Sequence, residues 1–204
     1  MNFFVIVFLS LIFLFNTQPS HAEDKNCEYQ YMTNQSKIGW TAFKTSERVA
    51  VNGEFKKFEI EVKKKSHSLS ELFENTEAEI LSRQVDTGNP DRDKTLFDHF
   101  FSKILNKSKI KGHFTKVSLH GNQGDLELKL SLNGVTRTVP MKLTVNESNI
   151  SAVGEFDLMK FALGKAYNSL HKACEKLHTG KDGLSKTWKT AQIRLSGVIH
   201  QKCP

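Results

Sequence analysis

The sequence is short of the residue patterns that most cofactor and nucleophile chemistry requires. Its three cysteines, Cys27, Cys174 and Cys203, form no C-x-x-C pair. It has no H-E-x-x-H, no G-x-S-x-G elbow and no glycine-rich phosphate or dinucleotide fingerprint. Those absences argue against zinc hydrolases, serine hydrolases, nucleotide enzymes and dithiol oxidoreductases. Ser, His and Asp all occur, but no arrangement singles out a triad. Internal repeats, heptads and low-complexity linkers are also missing. No apolar run reaches membrane-spanning length: the longest, Phe3 to Phe15, is about 13 residues against the roughly 20 a spanning helix needs.

That run is followed by small residues at Ser20 and Ala22, and no acid, lysine or arginine comes before Glu23. The pattern predicts a secretory signal peptide over residues 1–22, cut after Ala22, and one domain over residues 23–204. Export places the chain in the periplasm or outside the cell, where disulfides persist. An odd cysteine count leaves one thiol over. If the first and last strands pair antiparallel, Cys27 meets Cys203; a bridge between Cys174 and Cys203 is the competing arrangement.

The net charge is +7, which suits transient contact with an anionic membrane surface. The lysines are spread along the chain, however, and the one dense run, KKFEIEVKKK, alternates with Phe58, Ile60 and Val62 as a solvated strand face would. No nucleic-acid partner is expected.

What the chain does have is alternation. In GDLELKLSLNGVTRTVPMKLTV, Leu126, Leu128, Leu130 and Leu132 share one face, and Asn133-Gly134 supplies a two-residue hairpin turn. Val139, Met141, Leu143 and Val145 return on one parity. Weaker alternation covers 37–44, 53–64, 77–85, 112–120, 149–157 and 187–200, making about eight short-linked strands, the spacing of an antiparallel barrel. Such a barrel is either filled by side chains or just wide enough for one small ligand.

Two segments follow helical spacing instead. In VDTGNPDRDKTLFDHFF, Asn89 fits an N-cap and Pro90 the first helical position, with Leu96, Phe97, Phe100, Phe101 and Ile104 on one face. Its acids fail as a calcium loop, because the sixth position counted from Asp86 is Asp91 rather than glycine. A second helix is expected from Leu158 to about Leu177. It would align His171, Cys174 and His178, ligand types that suit zinc or copper, but no fourth ligand is specified. A metal- or redox-responsive protein using these three residues is therefore one alternative. A stress-related interaction protein presenting the loop from Lys181 to Lys186 is another.

VDTGNPDRDKTLFDHFF followed by LSLNGVTRTVPMKL resembles the paired signature of the YceI-like family, exported bacterial polyisoprenoid-binding proteins. IGWTAFKTSERVAVNGEFKKFE and AQIRLSGVIH are similar to its opening hairpin and last strand. The resemblance implies a mainly β fold: an eight-stranded antiparallel lipocalin-like barrel, here with two helical insertions. It also implies a polyisoprenoid or quinone-like lipid as a non-covalent ligand, and no catalytic residues, so no enzyme activity is expected. Parity and the resemblance together give an expected lining of Trp40, Phe114, Leu126, Leu128, Leu130, Leu132, Val139, Met141, Leu143, Ile193 and Leu195. The segment from Asp157 to Lys186 is longer and more helical than the family pattern.

Overall fold

A computed structural model of the chain describes residues 27–105 and 109–204; the expected signal peptide lies outside them. One antiparallel sheet of ten strands runs in the order β3-β4-β6-β7-β8-β9-β10-β1-β2-β5. The strands are β1 (Glu28–Lys44), β2 (Val49–Phe55), β3 (Phe58–Val62), β4 (Thr76–Leu81), β5 (Val85–Asp86), β6 (Lys109–His120), β7 (Gln123–Leu132), β8 (Val135–Asn146), β9 (Asn149–Asp157) and β10 (Thr187–Lys202).

Ten strands replace the expected eight because two of them bend. The segment 53–64 is interrupted between β2 and β3, and 77–85 between β4 and β5. At the first bend Lys56 and Lys57 are both exposed while Phe55 and Phe58 both pack against the core. Alternation alone would put those two rings on opposite faces, so the interruption keeps both inside. Across the bend, Lys56 N–H donates to Gln84 O and Leu81 N–H to Lys57 O. The two ends of the strand order are thus held together, and the sheet curls into a barrel-like shell.

The long seam between β1 and β10 pairs Glu28 with Lys202 at one end and Lys44 with Thr187 at the other, with an irregularity between Met32 and Lys37. Cys27 and Cys203, flanking that seam, form a disulfide of 2.03 Å, and Cys174 is free and buried. Sequence periodicity starts the first strand at Lys37. The structure starts it nine residues earlier, at Glu28, with Tyr29 and Tyr31 buried.

Among the described residues three α-helices serve the two ends of the shell. The helix α1 (Leu69–Glu74) was not expected, although Ser68 and Glu71 have capping spacing: Ser68 Oγ accepts from Glu71 N–H at 3.1 Å. It seals one end with Leu72 and Phe73, both fully buried; the Phe73 ring lies 5.9 Å from Tyr31 and 5.7 Å from Phe114, edge to face. At the opposite end α2 (Pro90–His99) begins as anticipated, with Asn89 Oδ1 accepting from Arg92 N–H at 3.0 Å. The acids around its start have local work: Asp86 Oδ1 accepts from Gly88 N–H, and Asp93 Oδ1 from both the N–H and the hydroxyl of Thr87.

The expected continuous helix from Leu158 to Leu177 is broken into three pieces: a 3-10 turn at Leu158–Phe161, α3 (Gly164–Ala173) and a second 3-10 turn at Glu175–His178. The first break is Ala162, in the left-handed region at φ 54. Asn133, at the tip of the β7–β8 hairpin, donates its side-chain amide to Phe161 O at 3.0 Å and Ala162 O at 3.1 Å. Those carbonyls are therefore taken up by a neighbouring hairpin. Asn133 also accepts from Leu105 N–H at 2.8 Å, so one side chain ties three connections together at this end.

Candidate functional site

The inner face of the shell is where the expected lining residues lie. Register puts Phe114 opposite Leu128, and Leu128 opposite Val139, as one cross-strand row. Leu126 faces Met141 in the next row. On the other wall Trp40 faces Ile193, and Ile38 faces Leu195. Trp40, Phe114, Leu126, Leu128, Leu130, Leu132, Val139, Met141 and Leu143 are buried in one apolar cluster, and Ile193 and Leu195 are half-buried against it. Alternation marked the Leu and hairpin positions of this inward face, because a strand's inward residues recur every second position.

The interior is nearly filled. Its cavity measures ≈ 50 Å³ and is bounded by Ile38, Ile60, Ala78, Ile80, Gly112, Phe114, Leu128, Leu130, Met141, Ile193 and Leu195, without a polar side chain. Small-molecule pockets usually hold about 300–1,000 Å³.

A pocket of that size, ≈ 330 Å³, opens at the α2 end. Trp40, Ala42 and Val51 form its floor, Arg92 and Leu96 come from α2, and Leu170, Cys174, Leu177, His178 and Thr187 close the other side. Trp40 lines this mouth pocket while Ile38, two residues along the same face of β1, lines the interior cavity. The indole therefore stands between the two spaces. It can lie flat there because Gly53 is directly opposite: a Cβ at that position would come within 2.3 Å of the ring. Phe101 packs beside it, 6.5 Å between ring centroids, and Phe55 packs on Phe101. The indole N–H is buried and has no hydrogen-bond partner among the described residues.

The three residues singled out for metal chemistry gather around this mouth. His171 Nδ1 lies 3.0 Å and His178 Nδ1 2.6 Å from the same hydroxyl, that of Thr187. A single hydroxyl can donate to only one of them, so the rings carry complementary tautomers. Tyr167 stacks on His171 and donates its hydroxyl to Thr187 O at 2.7 Å. Burial, then the neighbouring Lys44 and His171, push His178 down to about 4. Burial pushes the Cys174 thiol up. Near neutral pH both wall groups are therefore uncharged, as suits an apolar surface. Among the described residues no group of three His, Cys, Asp or Glu side chains is arranged to hold a metal ion.

Sequence reading missed the mouth pocket as a unit. Ala42 shares the parity of Trp40, and Leu96 was legible as part of a helical face. That β1, α2 and α3 converge on one space depends on tertiary placement that no local pattern encodes. A second pocket of ≈ 390 Å³ at the α1 end mixes Tyr29, Leu69, Val145 and Ile199 with Ser70, Glu147 and Gln201.

The family model described as YceI-like domain matches residues 29–192. Among solved structures the chain resembles a polyisoprenoid binding domain from Saccharophagus degradans implicated in plant cell wall breakdown, at 13% identity and a TM-score of 0.55, covering 89% of this chain and 100% of that one. It also resembles BcnA of Burkholderia cenocepacia, at 17% identity and a TM-score of 0.55, covering 84% and 99%. At these identities the likeness is one of fold. No curated protein matches the chain significantly.

Proposed function

The chain belongs to the YceI-like domain family, and from that premise we propose that it is an exported carrier holding a polyisoprenoid or quinone-like amphiphile non-covalently. The observation that carries this reading is the inner face itself: mostly apolar, around a cavity without a polar side chain, and next to a mouth pocket of ligand size. Likeness in fold to a domain described as polyisoprenoid-binding supports it.

The tail lies along Trp40, Phe114, Leu126, Leu128, Leu130, Leu132, Val139, Met141, Leu143, Ile193 and Leu195. A cavity of ≈ 50 Å³ admits it only as side chains yield. Met141, unbranched and adaptable, and the half-buried Ile193 and Leu195 are the ones that give way. Removing the tail from water contributes roughly 25 cal/mol per Å² of apolar surface. The polar head stays in the mouth pocket, beside Trp40 and the residues of α2. Arg92 is held at the rim by Thr87, which accepts from Nε at 2.9 Å through its hydroxyl and from a terminal nitrogen at 2.7 Å through its carbonyl. These groups bind and orient; no step of bond making is involved.

The disulfide between Cys27 and Cys203 fits an oxidising compartment, in keeping with a signal peptide over residues 1–22 and a periplasmic or secreted protein. Organic extraction of the purified protein followed by mass spectrometry should release a polyprenyl or quinone species. An empty extract from protein isolated with its native membrane lipids present would count against the carrier.

A further inference from the structure

The mouth end carries a surface unlike the rest of the molecule. It is built from the β1–β2 turn, the connection bearing α2, the β7–β8 hairpin tip and the long segment between β9 and β10. Among the described residues the three most exposed large hydrophobics, Leu177 at 70%, Leu184 at 65% and Leu105 at 62%, all lie in these connections. Leu177 also lines the mouth pocket, so at that point the exposed apolar surface meets the opening. Exposed apolar residues scattered singly are ordinary, but gathered at one end beside an opening they mark a contact surface.

Charge selects the partner. Lysines that look evenly spread in sequence collect here: the stretch 158–189 holds seven, against only Glu175 and Asp182. Five of the chain's seven excess positive charges therefore fall in that stretch. None of these seven lysines is ion-paired among the described residues, whereas Lys63, Lys111, Lys116 and Lys142 on the shell wall each have a carboxylate partner. Unneutralised lysines around apolar tips are the features that seat a protein on anionic lipid headgroups.

We propose that this end docks peripherally on an anionic bilayer, with Leu177, Leu184 and Leu105 entering the headgroup region and the mouth pocket facing the lipid. The role assigned to the pocket rests on the carrier reading; the docking itself is measured separately.

The test is co-sedimentation of the full chain with phosphatidylcholine vesicles, with and without phosphatidylglycerol, at low and high salt. Binding is expected only with phosphatidylglycerol, weakened by salt. It should fall about tenfold or more in Leu177→Glu/Leu184→Glu and in Lys176→Glu/Lys181→Glu, two independent variants at exposed positions. Wild-type protein that ignores anionic vesicles, or variants that bind as well as wild type, would overturn the proposal. So would a dimer in sedimentation velocity that Leu177→Glu/Leu184→Glu abolishes, since a second copy would then cover the face. Lipid recovered by extraction from a chain that does not dock leaves the carrier reading standing; docking with nothing extracted removes the carrier reading alone.

Discussion

Trp40 shows how much one side chain organises at the mouth. It separates the interior cavity from the opening, carries an unpartnered buried N–H, and depends on the missing side chain of Gly53 across the β1–β2 ladder. Gly53→Ala would set a methyl group 2.3 Å from the indole as it now lies. The ring would have to shift against Phe101, at a cost of about 1 to 3 kcal/mol. A urea denaturation midpoint lowered accordingly, with altered tryptophan fluorescence, is expected for this variant. An unchanged midpoint would mean the indole is free to move. Sequence reading placed Trp40 in the lining without the parity argument that marked the leucines, and nothing in the sequence pairs it with Gly53; that pairing is a matter of register.

At the scale of elements, the strands were the legible part. Alternation marked the β7–β8 hairpin almost to its bounds, and Asn133-Gly134 marked its turn, because a half-buried strand writes its inner face at every second residue. Helical spacing marked α2 through Asn89, Pro90 and the apolar residues that follow. It misread the segment from Leu158 to Leu177, where Asn133 takes up the carbonyls of Phe161 and Ala162 and turns the chain at a left-handed Ala162. The short α1 escaped notice because its six residues give too little period, although Ser68 and Glu71 carried its cap.

The α3 segment rests on the start of β10 through the shared Thr187 hydroxyl, and this anchoring has a pH signature. His178 titrates at about 4 in the folded chain instead of 6.5, chiefly because it is buried. Between those values the unfolded chain holds a proton that the folded chain does not, so stability rises with pH across the window. The contribution is complete above 6.5 and is lost progressively as pH falls toward 4. Denaturation midpoints measured from pH 7 to pH 4.5 should decline in wild type and decline less in His178→Gln. Parallel slopes for the two proteins would show that the imidazole is not desolvated.

The whole molecule is a curled sheet sealed at one end by Phe73 of α1 and at the other by a mouth of converging loops and helices. The disulfide pins the outer ends of β1 and β10 at the sealed end, 176 residues apart in sequence, while the segments that depart most from simple strand pairing crowd around the mouth. Composition and periodicity made the shell and most of its lining legible. They left open whether the interior is hollow, since an alternating strand reads the same over a full core or an empty one. The cavity lined by Ile38, Phe114, Leu128 and Met141 measures only ≈ 50 Å³, so a ligand there competes directly with side-chain packing.

Ala78, half-buried on β4 at the edge of that cavity, allows the competition to be measured. Replacing it with leucine fills the remaining space and crowds the core, so the thermal midpoint should fall by about 2 to 10 °C while the variant stays folded at room temperature. The decisive measurement is a titration of delipidated wild-type protein and Ala78→Leu with a polyprenyl quinone. Saturable binding to wild type, weakened about tenfold or more in the folded variant, is the predicted result. Equal affinity in the two proteins, or no saturable binding to either, would contradict a tail held inside the shell.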